Sequence, residues 1–99
     1  MSVAPEVISE WKQKYPFVFK TIINSKEIYF RSLSREDYIG ISAKQIQNPD
    51  LDYELETVKT CLLNGLDEAE LKGKSGIVTV LSEQIMIKSG FQAIEVEEV

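Results

Sequence analysis

Apolar and polar positions change period several times along this chain, and each change marks an element. From Ala4 to Tyr15 the apolar residues Val7, Ile8, Trp11 and Tyr15 recur at spacings of one, three and four, which places them on one helical stripe. Pro5 suits the first turn, where its missing N–H costs nothing. Pro16 stops the helix by biasing the residue before it away from helical ψ. Trp11 is either a core anchor or an exposed contact residue, and its apolar neighbours in the stripe favour the core. Phe17 to Ile23 and Glu27 to Leu33 are rich in β-branched and aromatic residues and read as the two strands of a hairpin. Asn24-Ser25-Lys26 is the turn, with Asn24 able to adopt a left-handed conformation. Two strands alone are marginal in water, so the hairpin has to pack on helices or pair with another chain.

At Leu33 the pattern switches abruptly from strand to helix. Ser34 with Asp37 is a weaker form of the Ser-x-x-Glu capping box, and Glu36 and Asp37 lie at the positive end of the helix dipole. Tyr38, Ile39, Ala43 and Ile46 continue as a helical stripe, although Gly40 costs roughly 1 kcal/mol relative to alanine. Ile39 and Ile41 flank that glycine and cannot both face one core, so one of them is expected at the surface. Arg31 and Arg35 have no part in this local account.

The next helix is the clearest. Asn48 is its expected cap, Pro49 fits its first turn, and Asp50, Asp52 and Glu54 favour its N-terminus. Leu51, Leu55, Val58 and Leu62 fall at i, i+4, i+7 and i+11 on one buried face, and Asn64-Gly65 ends it. A polar connection follows, with one helical turn at Asp67 to Leu71 and flexible glycines at 73 and 76. Ile77, Val78, Leu81, Ile85 and Met86 give the last helix a broad apolar face. Gly90 supplies its left-handed cap, with Phe91 folding back on Met86. Gln92 to Val99 is an acidic tail in which Ile94, Val96 and Val99 are interspersed with glutamates. Two states are open to it: disorder, favoured in the isolated protein, or a strand added to a sheet edge.

These elements predict an α+β fold, one β-hairpin packed with three to four helices in a single small domain over residues 1–91, followed by the tail at 92–99. The expected core is Trp11, Phe17, Phe19, Ile22, Ile28, Phe30, Leu33, Ile39, Ile46, Leu51, Leu55, Val58, Leu62, Ile77, Leu81, Ile85 and Phe91.

Charge and composition narrow the function. Sixteen acidic against eleven basic residues give a net charge of −5, which argues against nucleic acid, whose phosphates are met by clustered Lys and Arg. The charge is uneven. Met1 to Pro49 holds seven basic and five acidic residues, whereas Asp50 to Val99 holds four and eleven. A molecule so polarised can steer a partner or stack copies head to tail, so a homo-oligomer is among the expected states. No stretch approaches the roughly 18 apolar residues of a membrane span, and the N-terminal stretch does not read as a signal peptide. With one cysteine there is no internal disulfide, which suits a reducing, cytoplasmic setting.

Reactive chemistry is sparse. The sequence has no histidine, so Ser–His and Cys–His nucleophile pairs are excluded. The lone Cys61 excludes cysteine-based zinc sites and reads as a buried structural thiol. No phosphate-binding glycine motif occurs. Asp50, Asp52, Glu54 and Glu56 are spaced by two, so on a helix they point around the cylinder rather than to one ion. No catalytic residue, metal or cofactor is expected, and the chain reads as a non-enzyme.

Three segments together carry a resemblance. Arg31-Ser32-Leu33-Ser34-Arg35-Glu36-Asp37-Tyr38 follows a short strand. Val58-Lys59-Thr60-Cys61-Leu62-Leu63 lies on the middle helix. Gly76-Ile77-Val78-Thr79-Val80-Leu81-Ser82-Glu83-Gln84-Ile85 runs on to Ser89-Gly90-Phe91. This combination, over about Phe17 to Phe91, resembles the tail assembly chaperones and small baseplate-hub assembly proteins of tailed bacteriophages. Asp37 stands where that pattern has glutamate before the aromatic, and the first helix and the acidic tail fall outside the match. The resemblance implies a non-enzymatic assembly factor that binds phage tail or baseplate proteins in the host cytoplasm. The alternative is a structural subunit or adaptor that stays in the tail or baseplate of the virion. A third class, an acidic DNA mimic, needs carboxylates along one exposed face, and the basic N-terminal half counts against it. Tyr29, Arg31, Arg35 and Tyr38 are the expected partner contacts, because Arg and Tyr commonly dominate interface energies.

Overall fold

The computed structural model describes residues 3–99. The chain folds as α1 (Pro5–Lys14), β1 (Val18–Ile23), β2 (Lys26–Arg31), α2 (Arg35–Gln47), α3 (Tyr53–Cys61), β3 (Leu62–Asn64), α4 (Glu68–Gly73) and α5 (Ser75–Lys88). The fold is α+β, with five helices around a three-stranded antiparallel sheet in the order β1-β2-β3.

The hairpin closes through two residues rather than three. Asn24 and Ser25 have φ of 51° and 64°, the left-handed pair that matches the twist of the flanking strands. Ile23 therefore pairs with Lys26, and the register runs to Val18 opposite Arg31. Ile28, Tyr29 and Phe30 are all buried, because β2 is central and covered on both faces. On one face Trp11 of α1 sets its ring 5.5 Å from that of Tyr29. On the other, Ile28 and Phe30 join Leu33, Ile41, Val58, Cys61, Leu71, Val78, Leu81 and Ile85 in the core.

The third strand is the main departure from expectation. The middle helix neither starts at Asn48 nor runs to Leu62. Asn48 instead ends α2, and Asp52 caps α3 by accepting from the Leu55 N–H at 3.1 Å. The helix stops at Cys61, and Leu62 to Asn64 pairs with Tyr29 and Phe30 across a bulge. The second edge of a buried central strand needs hydrogen-bond partners, and that need overrides the helical stripe. Gly65 completes the crossing with φ 118°, and a Cβ there would meet the Glu27 carbonyl oxygen at 2.6 Å. The single turn expected after it is a six-residue helix, opened by an Asp67–Glu70 capping box.

Five expected core residues lie elsewhere. Phe17, Ile22, Ile39, Ile46 and Phe91 are exposed, while Trp11, Phe19, Leu51, Leu55, Leu62 and Ile77 are only partly buried. Phe17 precedes β1, and Ile22 is on an edge strand. α2 turns Ile41 inward and Ile39 outward: Ile41 is 4% exposed and Ile39 54%. Of the two isoleucines beside Gly40, Ile41 is thus the buried one. Residues 92–99 carry no helix or strand and are exposed. Among the described residues no helix is long and apolar enough to cross a membrane.

Candidate interaction site at the strand–helix junction

The junction between β2 and α2 is held by one residue, Asp37, through its backbone N–H and twice through its carboxylate. Ser34 Oγ accepts from the Asp37 N–H at 3.0 Å, and Asp37 Oδ2 accepts from the Ser34 N–H at 3.2 Å. The expected capping box is therefore complete with aspartate in place of glutamate. The same Oδ2 accepts from Arg31 Nη1 at 2.7 Å. Arg31 also donates to the Ser32 carbonyl at 3.1 Å and lies 4.9 Å from the centre of the Tyr15 ring. Partial burial works against the charge on both groups. Their hydrogen bond prevails, holding Asp37 below the usual carboxylate range and Arg31 above its own. On the far side of the junction the Leu33 N–H donates to Ser89 Oγ at 2.8 Å, joining it to the end of α5. Behind it lies Cys61, fully buried, its thiol pushed up to about 11 by burial.

The four expected contact residues separate into two pairs. Tyr29 is 6% exposed, lies under Trp11 and donates its hydroxyl to Glu27 at 3.1 Å. It is an interior residue, because α1 covers the face of β2 from which it projects. Arg31 is engaged within the chain by Asp37, Ser32 and Tyr15. Arg35 is exposed and Tyr38 is half-buried against the core, with the guanidinium carbon 5.6 Å from the ring centre. Tyr38 in turn packs on Phe91 at 4.9 Å between centroids. Phe91 is placed there by the end of α5: its N–H bonds the Met86 carbonyl and that of Gly90 the Ile87 carbonyl, with Gly90 at φ 95°. The backbone thus returns to Met86 as the cap requires, while the ring turns to Tyr38.

Two residues expected in the core, Ile39 and Ile46, share an exposed face of α2 with Arg35, an expected contact. Arg35, Ile39, Ala43 and Ile46 are spaced by four, four and three along α2 and are all exposed, Ile46 at 82%. At the start of the same helix Arg35 lies over Tyr38, and Tyr38 packs on Phe91. The signal was present in the sequence, since Ile39 and Ile41 could not both be buried, but the periodicity alone did not say which was. Among the described residues no cluster of His, Cys, Asp or Glu could hold a metal ion.

No family model, curated protein or solved structure matches this chain.

Proposed function

We propose that this protein is a non-enzymatic assembly factor for a phage tail or baseplate, acting by protein–protein binding through the outer face of α2. The observation that carries the binding role is the solvent-facing stripe of Ile39, Ala43 and Ile46 beside Arg35, Tyr38 and Phe91. Apolar side chains grouped on one helix face, rimmed by polar groups, mark interaction sites on soluble proteins. Aromatic residues and Arg are the types that anchor interfaces. A rigid capped helix offers that face at little conformational cost, because the Ser34–Asp37 box and Arg31 already fix its start. The assignment to phage tails rests on the sequence resemblance carried by residues 31–38, 58–63 and 76–91.

The second reading is a structural subunit that remains in the particle. It draws support from the extended acidic tail, which projects apolar side chains away from the body. Quantitative mass spectrometry of purified particles against infected-cell lysate separates the two. Abundance in lysate with absence from particles is the expected result, and several copies per particle transfers the assignment to the structural reading. The double variant Ile39→Asp/Ile46→Asp is expected to fold normally and to lose its tail or baseplate partner in lysate pull-downs. Unchanged recovery of that partner would remove α2 from the interface.

A further inference from the structure

The outer edge of β1 carries no strand among the described residues. In an antiparallel ladder closed by a two-residue turn, alternate residues turn their N–H and C=O toward the partner strand. Ile23, Thr21 and Phe19 do so here, and the bond from Ser32 N–H to the Phe17 carbonyl has the same parity. Val18, Lys20 and Ile22 therefore direct their backbone groups outward, into the position that an added strand would fill.

Side chains flank that edge in two ways. On the core side an apolar groove of about 500 Å³ runs between Ile23 and the outer surface of α5 at Ile77 and Val80, and Val80 is 56% exposed. Lysines stand at both ends of this side: Lys74 lines the groove beside Ile23, and Lys88 reaches over the Phe19 ring at 6.0 Å. On the face shared with α1 stand Ile22, 64% exposed, and Lys20, whose ammonium lies 3.8 Å from Glu27 but keeps half of its side chain exposed to a further carboxylate.

The chain itself contains a segment of complementary pattern. Ile94-Glu95-Val96-Glu97 alternates apolar and acidic, the period of a strand with one apolar and one charged face. Ile94 and Val96 are exposed where they stand. The segment leaves from Phe91, which is fixed against Tyr38 on the α2 side of the molecule. We infer that residues 93–99 of one copy add as a strand to the β1 edge of a second copy. Ile94 and Val96 then lie over Ile23 and Val80, and Glu95 and Glu97 lie beside Lys20. Main-chain bonds supply the affinity and the alternation fixes the register. The contact is heterologous, edge to tail, so it propagates as a chain or closes as a ring. This pairing does not rest on the assembly role, because it uses the β1 edge and residues 93–99 rather than the outer face of α2.

Sedimentation equilibrium of the full chain up to about 1 mM tests it, alongside a chain ending at Gln92 and the variant Lys20→Pro. That proline removes an outward N–H and leaves the β1–β2 ladder whole, as edge positions allow. The full chain is expected to gain mass with concentration, more weakly at high salt, while both altered chains stay monomeric. Mixed together, the tail-less chain and the edge-blocked chain are expected to form a 1:1 complex and stop there. If Lys20→Pro fails to fold, Lys20→Glu replaces it: it should weaken association at least tenfold, with recovery in Lys20→Glu/Glu95→Lys/Glu97→Lys. A monomeric full chain, undiminished association without the tail, or no 1:1 complex would each overturn the inference. So would a monomer whose residues 94–99 are protected from amide exchange, which would seat the tail on its own body.

Discussion

Asp37 is the residue on which most of the junction depends. It completes the α2 cap and neutralises Arg31, which is 15% exposed and would otherwise be left as a half-buried charge. Exposed ion pairs contribute little, and fully buried ones are costly to break. Asp37→Asn, between those limits and with loss of part of the cap, is expected to cost about 1–2 kcal/mol near pH 7. The sign of its pH dependence follows from the shift. The carboxyl is held below its unfolded value, so its contribution is complete above about pH 4 and is lost as pH falls through the lowered folded value. Urea unfolding of wild type and variant should therefore diverge at neutral pH and converge in acid. A difference that persists undiminished in acid would mean that the carboxylate's charge is not what stabilises the junction. Arg31 was legible in the sequence only as a cation at a strand end. Its partner six residues on is brought to it by the turn into the helix, which no local pattern specifies.

Among the elements, the glycines distinguish packing from propensity. Gly65 has positive φ and no room for a Cβ, because β3 crosses onto the backbone of Glu27 and Ile28. Gly40 lies inside a helix, and nothing lies within 4 Å of where its Cβ would be. Gly65→Ala is expected to destabilise by about 2 kcal/mol or more, and Gly40→Ala to stabilise by about 0.5–1 kcal/mol. Thermal unfolding of the two variants would show opposite shifts in midpoint, and equal shifts would contradict the β3 crossing. The α2 cap, the hairpin and the end of the last helix were readable because their signals are local: Ser34 to Asp37, Asn24-Ser25 and Gly90 each act within a few residues. The third strand was not, because Leu62 and Leu63 suit a helix end or a strand equally. Only the unpaired edge of β2, over thirty positions earlier in the chain, selects the strand.

At the scale of the whole molecule the tail contributes little to the fold. The body and tail together extend 50 × 34 × 23 Å, with a radius of gyration of 15.0 Å, against about 12–13 Å for a globular domain of this length. Residues 92–99 are exposed throughout. A chain ending at Gln92 is therefore expected to keep its stability within about 0.5 kcal/mol when compared at low micromolar concentration. Its radius of gyration, measured by small-angle scattering, should fall toward the globular value. A large loss of stability would instead mean that the tail packs on the body. The sequence by itself determined the α+β class, most helix and strand positions and the capped start of α2, because periodicity and caps are set by residues one to four positions apart. It also supplied six central core residues: Ile28, Phe30, Leu33, Val58, Leu81 and Ile85. Which side of α2 is buried, that Tyr29 lies beneath α1 and that Leu62 to Asn64 completes the sheet emerge only when the elements pack together. Each of those outcomes depends on which surface another element covers, and that is fixed by the packing of segments distant in sequence rather than by the residues of the segment itself.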